Sequence, residues 1–251
     1  MALTIKPYLQ SVTLLRDKIE NFDEYPFCLP IIRQLNKIEF HPDVTFFVGE
    51  NGSGKSTLIE AIAILLKFNP EGGSRNFRFT TETSHSPLHS FMRPTKGHKA
   101  YRDGYFLRAE SFYNVASNID ALDREPGPGP PVKSYYGGTS LHQQSHGESF
   151  WSLITKRFGG KGLYILDEPE AALSPTRQMA ALVRINELVK MESQFIIATH
   201  SPILLAYPNA CIYELHDEQL VKTPYEETEH YKVTRRFLAN YRKELDNLLE
   251  E

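Results

Sequence analysis

The chain has 251 residues, 41% apolar and 24% charged, with a formal net charge of −3. That is the balance of an ordinary globular protein, with no global drive towards nucleic acid or an anionic membrane surface. No apolar run reaches the roughly 18 residues of a membrane span, Met1 to Gln10 hold no signal-peptide core, and Cys28 and Cys211 form no metal or redox motif. A single domain over 1–251, cytoplasmic and with reduced thiols, is therefore expected.

Residues 3–15 are β-prone and read as one or two strands, followed by a polar turn at Asn21 to Glu24. Pro26 and Pro30 bracket a short extended piece, and Ile31 to Phe40 contains a strand leading to a hairpin-like turn at His41-Pro42-Asp43. These strands predict an N-terminal antiparallel layer. Val44 to Val48 is a short apolar run that reads as a buried strand. Leu58, Ile59, Ile62, Leu65 and Leu66 then recur at helical spacing. A polar stretch follows from Phe68 to Gly104, with a short strand expected at Asn76 to Thr80. Tyr105 to Ala109 reads as a strand ending at Glu110, and Ser111 caps a helix to about Leu122. The proline-rich Glu125 to Pro131 excludes helix and central strand, so residues 123–144 form a long loop or insertion.

Ser145 to Ser149 open a helix with Phe150, Trp151, Ile154 and Phe158 on one face. Leu163 to Leu166 is an apolar strand ending at Asp167-Glu168. Ser174-Pro175 starts a long helix, on which Met179, Leu182, Val183, Ile185, Leu188 and Val189 predict a broad buried stripe. Phe195 to Ala198 is a further buried strand, ending at Thr199-His200-Ser201-Pro202, and Ile203 to Ala206 form a short helix. Cys211 to Leu215 and Leu220 to Lys222 read as a hairpin about Asp217-Glu218. A C-terminal helix spans about Glu227 to Leu249, with Phe237, Tyr241, Leu245 and Leu248 on one face. The expected class is α/β, a mainly parallel sheet with helices on both faces and an added β-layer.

Between the first buried strand and its helix lies Gly49-Glu50-Asn51-Gly52-Ser53-Gly54-Lys55-Ser56-Thr57, which matches the phosphate-loop pattern G-x-x-x-x-G-K-[ST]. Glycines let the backbone turn tightly and aim N–H groups at phosphates. Lys55 adds a charge for the β- and γ-phosphates, Ser56 offers a hydroxyl to Mg²⁺, and the helix N-terminus favours an anion. Asp167 and Glu168 sit at a strand end, where ligands bind in open α/β sheets. Asp167 suits Mg²⁺ held through water, and Glu168 suits orienting and deprotonating an attacking water. His200 follows another apolar strand and can donate to a γ-phosphate.

In this order the motifs resemble those of the ABC-type ATPases, in the branch that includes the soluble SMC- and RecF-like proteins. Gly49 to Thr57 resembles the Walker A motif and Leu163 to Glu168 Walker B with its catalytic glutamate. Ala172-Leu173-Ser174 lies at the D-loop position, and His200 matches the switch histidine. Ser145-His146-Gly147-Glu148 resembles the signature L-S-G-G-Q, with His146 for the first glycine of the pair and Glu148 for glutamine. Glu110 stands where the family has its Q-loop glutamine, a further Mg²⁺ ligand. The resemblance implies an aromatic upstream of Walker A that stacks on adenine, with Phe22, Tyr25 and Phe27 as candidates among which the sequence does not choose. The resemblance implies a P-loop NTPase fold, ATP and Mg²⁺ as cofactors, hydrolysis carried by Glu168, His200 and Lys55, and an ATP-dependent homodimer. Ser145, Gly147 and Glu148 would then contact the nucleotide of a second copy.

The output of such a cycle is a mechanical switch. One reading is action on DNA in repair or defence, without a coiled-coil insertion. Another is the nucleotide-binding subunit of a membrane transporter, which the altered signature and Glu110 disfavour. A third is a slow-hydrolysing binding switch. An excess of basic residues over 68–104 (Arg93, Lys96, Lys99 and Arg102 among them) reads first as a solvated face, with a phosphate-contacting patch as the alternative.

Overall fold

The computed structural model describes residues 6–74, 85–109, 112–124, 130–216 and 219–250. In chain order the elements are β1 (Leu9–Leu14), α1 (Pro30–Arg33), β2 (Lys37–Glu39), β3 (Val44–Val48), α2 (Lys55–Leu65), β4 (Met92–Lys96), β5 (Asp103–Arg108), α3 (Phe112–Leu122), α4 (His146–Ser152), β6 (Gly162–Asp167), α5 (Pro175–Lys190), β7 (Gln194–Ala198), α6 (Pro202–Leu205), β8 (Cys211–His216), β9 (Gln219–Lys222), α7 (Glu229–Ala239) and α8 (Tyr241–Leu249).

Two sheets organise them. A six-stranded sheet runs β5-β6-β7-β3-β8-β9, and a three-stranded sheet runs β2-β1-β4. In the larger sheet β5, β6, β7, β3 and β8 are parallel, and β9 closes the edge antiparallel. The smaller sheet is antiparallel throughout. Alternation along the central strands builds two cores. Phe47, Phe106, Ile165 and Ile196 pack with α2 and the smaller sheet. Phe46, Tyr105, Tyr164, Leu166 and Ile197 pack with α3, α4, α5 and α6 on the other face. Strands covered on both faces are buried at every position, as in Val44–Val48, where the one polar residue, Thr45, accepts from the His41 amide at 2.8 Å. Cutting Phe46 or Phe47 to alanine would cost about 3–5 kcal/mol.

Gln194, fully buried at the start of β7, fastens the two sheets. Its Oε1 accepts from the amides of Tyr8 (2.9 Å) and Leu9 (3.0 Å), and its Nε2 donates to the carbonyls of Leu9 (2.9 Å) and His41 (3.0 Å). Every polar valence of the amide is used, which is what burial at this position demands.

The parallel sheet, the helices on both faces and the added antiparallel layer agree with the sequence. Several local expectations change. His41 to Asp43 is not a hairpin: β2 pairs with β1, whereas β3 pairs in parallel with β7 and β8, so the chain crosses between sheets there. The Pro26–Pro30 piece is turned rather than extended, and Pro30 opens α1, where its missing N–H and fixed φ are favourable. Strand β4 was not read from the polar 68–104 stretch; it is an edge strand with one buried residue, Met92, so its pattern carries little hydrophobic signal. The strand expected at Asn76 to Thr80, the cap at Ser111, Glu110 and the Asp217-Glu218 turn lie outside the described residues. On α5 the buried stripe is narrower than expected: Ala181, Ile185 and Leu188 are buried, but Met179 and Val183 are exposed. The C-terminal helix is two helices, broken at Asn240, and neither buries a residue.

Candidate active site

Strands β3, β6 and β7 end side by side. Phe47 pairs with Ala198, and Asp167 pairs with the same Ala198. The register therefore brings the phosphate loop, the Asp167-Glu168 pair and the Thr199-His200 turn to one edge of the sheet, the edge where parallel sheets place ligands.

The loop is shaped by backbone that only glycine adopts easily. Gly52 and Gly54 have φ of 78° and 98°. A Cβ on Gly54 would lie 2.8 Å from Ile31 Cγ2, so α1 packs directly beneath the loop. That close approach ties the N-terminal layer to the loop's conformation. Lys55 begins α2 and is buried. Its Nζ donates to the carbonyls of Gly49 (2.8 Å) and Glu50 (2.9 Å), folding the side chain back over the loop. Burial pushes its ammonium below the usual lysine range, while Glu168, Asp167, Glu50 and Glu170 oppose that shift. Ser53 Oγ is buried with no hydrogen-bond partner among the described residues. A buried hydroxyl with no partner in the loop fits a ligand oxygen there. Asn51 lies in the exposed loop tip, and Thr57 follows in the first turn of α2.

The Ser56 hydroxyl donates to Asp167 Oδ1 at 3.2 Å, joining the first turn of α2 to the end of β6. A hydroxyl and a buried carboxylate at this separation are a hard-oxygen pair suited to Mg²⁺. Glu168, next in the chain, has φ 50° and ψ 52°, a left-handed conformation rare for a non-glycine residue. Such a conformation costs of order 1–3 kcal/mol and concentrates at active sites. It is pinned by the Glu168 amide donating to the Ala198 carbonyl at 3.0 Å. The half-exposed Glu168 side chain turns towards His200, with Oε1 3.7 Å from its Nε2.

His200 is held by two contacts. Its amide donates to Glu170 Oε1 and its Nδ1 lies 3.1 Å from Nε2 of His230 on α7, whereas its Nε2 is buried without a hydrogen bond among the described residues. Burial, Lys55 and His230 all push its imidazolium below the ordinary histidine range, outweighing Glu168 and Glu50. Burial pushes the Glu170 carboxyl up, against the hydrogen bonds it accepts. Neither Glu170 nor His230 was assigned a role from sequence. Glu170 was visible as the end of the Asp-Glu-Pro-Glu run, but no sequence signal marks His230, which α7 brings back to the site from 30 residues beyond His200.

Ser145, Gly147 and Glu148 form a separate cluster at the start of α4. Ser145 Oγ donates to Glu148 Oε2 at 2.6 Å, the Ser145 amide donates to the same oxygen at 2.9 Å, and the Glu148 amide donates back to Ser145 Oγ at 3.4 Å. This is a capping box. The bond from the Ser145 side chain, then that from its amide, hold the Glu148 carboxyl below its usual range. A Cβ on Gly147 would lie 2.8 Å from the Ala172 carbonyl, and Arg177 Nη1 donates to the Gly147 carbonyl at 2.7 Å. The cluster is thus fixed to the 169–172 turn and α5. Among the described residues no hydrogen bond or ion pair joins it to the phosphate loop of its own chain. The side chain of His146 lies outside the description, as does Glu110. Of the aromatics proposed for adenine, Phe27 is in the core, Phe22 lies under the Arg16 guanidinium at 4.2 Å, and Tyr25 is 62% exposed.

Comparison with known proteins places this geometry in a class. A family model described as "AAA domain" matches residues 18–110, and one described as "AAA domain, putative AbiEii toxin, Type IV TA system" matches residues 132–206. Among solved structures, MJ1267, an ATP-binding cassette of an ABC transporter, matches at 16% identity and TM-score 0.52, covering 94% of this chain and 99% of that one. The SMC head domain from Thermotoga maritima matches at 16% identity and TM-score 0.44, covering 87% and 100%. The protein cbiO1 from Clostridium perfringens matches at 16% identity and TM-score 0.49, covering 98% and 100%. No curated protein sequence matches. The two AAA-domain models and the fold shared with the MJ1267 cassette support an ABC-type P-loop ATPase fold for this chain. Among the described residues no helix is long and apolar enough to cross a membrane.

Proposed function

We propose that the chain is a cytoplasmic Mg²⁺-dependent ATPase that closes as a homodimer around ATP. The observation that supports this best is the meeting of Lys55, Ser56, Asp167, Glu168 and His200 at the adjoining ends of β3, β6 and β7. The loop amides, Ser53 and Lys55 would cradle the triphosphate, Lys55 trading its two carbonyl partners for phosphate oxygens. Ser56 and Asp167 would hold Mg²⁺, which when bound supplies positive charge to the β- and γ-phosphates. Glu168 orients a water in line with the γ-phosphorus and takes its proton, while His200 donates Nε2–H to a γ-oxygen as charge builds. Glu110, beyond the described residues, is retained as a further ligand to the ion or its water.

The other half of the site would come from a second copy. Ser145, the Gly147 backbone and the α4 N-terminus would face the γ-phosphate held by the partner's loop. The close packing of Gly147 on the 169–172 turn supports this, because closure would move the α4 N-terminus and that turn together. For the output we favour DNA-directed defence; the toxin-system description of the family model over 132–206 accords with defence, and the DNA partner rests on the test below. The test is ATPase turnover with and without duplex or single-stranded DNA at two salt concentrations. Stimulation that weakens with salt supports a DNA partner, and turnover indifferent to DNA contradicts it.

A further inference from the structure

The contact between His200 and His230 restricts where the protons of both rings lie. A neutral imidazole carries one donor and one acceptor nitrogen. Nδ1 of His200 and Nε2 of His230 are 3.1 Å apart, so one proton sits between them. Two arrangements satisfy that contact. In the first, His200 donates from Nδ1. Its bare Nε2 lone pair then faces the Glu168 carboxylate at 3.7 Å, and the remaining proton of His230 sits on Nδ1, buried with no acceptor among the described residues. In the second, His230 donates from Nε2. His200 then carries its proton on Nε2, pointed towards the carboxylate, and the bare nitrogen of His230 is the buried atom. Both leave His230 Nδ1 buried and unpaired among the described residues, as a donor in the first and an acceptor in the second; what separates them is that only the first sets a bare lone pair against the Glu168 carboxylate.

We propose that His230 is the positioning residue for His200: it donates Nε2–H to His200 Nδ1 and so keeps the Nε2–H tautomer that a γ-phosphate oxygen requires. The scaffold supports this assignment. Thr228 caps α7, its Oγ1 accepting from the Tyr231 amide at 3.4 Å and donating to the Tyr225 carbonyl at 2.7 Å. The Glu229 amide donates to Glu214 Oε1 at 2.8 Å. Glu214 is buried on β8 opposite Val48, the residue that leads into the phosphate loop. His230 is therefore held by the same strand pair that carries the loop, and its ring packs 5.3 Å from that of His200. The other charged groups around His200 are Lys55 from α2, Glu50 from the loop, and Glu168 and Glu170 after β6. None of them bonds to Nδ1.

The tautomer is read directly by ¹⁵N shifts of the His200 ring in the full chain without nucleotide, assigned by loss of its signals in His200→Gln. The expected result is protonation at Nε2 in the wild type and in His230→Gln, whose side-chain amide keeps a donor at a similar reach. In His230→Phe, which keeps a ring but no donor, the Nδ1–H tautomer should gain population. Kinetics give the second arm and rest on the ATPase reading. His230→Phe should lower kcat for ATP by about 10- to 100-fold with KM for ATP and the affinity for ADP little changed, and His230→Gln should retain most of the rate. Protonation at Nδ1 in the wild type, an unchanged tautomer in His230→Phe, or equal loss in both variants would overturn the proposal. If the wild type hydrolyses no ATP while the tautomer still shifts with His230→Phe, the positioning role stands and the ATPase reading falls.

Discussion

The two halves of the candidate site are built in opposite ways. The half at the sheet edge is open to a ligand: among the described residues Ser53 Oγ and His200 Nε2 are buried without hydrogen bonds, Glu168 holds a left-handed backbone, and Lys55 is parked on carbonyls it can leave. The half at the α4 N-terminus is closed on itself: the Ser145 hydroxyl and amide donate to Glu148, and the Glu148 amide donates back to Ser145. Preorganised groups aimed at developing charge are what catalysis uses. A self-satisfied helix start has to exchange partners before it can meet a phosphate, and here it also presents a carboxylate. On the composite-site proposal, the first half would bind and the second would gate.

Substitutions can break or sharpen that contrast. The largest effect belongs to Lys55→Ala, which removes the loop's charge; ATP affinity should fall by about 100-fold or more in titration calorimetry. Unchanged affinity would mean the loop is not the phosphate site. Glu168→Gln should keep ATP binding while kcat drops by about 10²- to 10⁴-fold, with ATP trapping a dimer visible by light scattering. Turnover at the wild-type rate would remove Glu168 from the mechanism.

Glu148→Gln tests the closed half. Glutamine can still serve the capping box, but it removes a negative charge from the face proposed to meet the partner's phosphate. ATP-dependent dimerisation should tighten by about threefold to tenfold, more at low salt, with little change in Tm. Weaker dimerisation would assign Glu148 an attractive role.

The smallest effect is a stability signature. Burial raises the Glu170 carboxyl, so the folded state favours its protonated form. That contribution is present below the unfolded carboxylate pKa and is lost as pH rises through the raised folded value. Glu170→Gln keeps an acceptor for the His200 amide and removes the buried charge. It should raise Tm by about 2 °C at pH 8, with the gain gone by about pH 4. A lower Tm at pH 8 would show that the charge on Glu170 is needed by the fold.

Much of the open half was legible in the sequence because its chemistry is contiguous. The phosphate loop, the Asp167-Glu168 pair and His200 each follow a short apolar run, and parallel pairing brings such strand ends together. The strand that escaped detection, β4, has one buried residue and pairs at an edge. The narrower stripe on α5 has a similar cause: apolar type does not imply burial, and Met179 and Val183 face outward. His230 was illegible for a different reason. Its role depends on an N–N distance set by the anchoring of α7 to β8, which no local pattern encodes. The left-handed backbone at Glu168 was equally hidden, since glutamate carries no sign of it.

The composite site is the central claim, and complementation between two defective copies tests it most directly. Copies with Lys55→Ala lack a working phosphate loop but keep Ser145, whereas copies with Ser145→Arg keep the loop and lose the opposing half. Each alone should be nearly inactive, and an equimolar mixture should recover about a quarter of wild-type turnover, from one intact site in each randomly formed heterodimer. Wild-type turnover by the Ser145→Arg copies alone, or no recovery in a mixture shown to contain heterodimers, would contradict it.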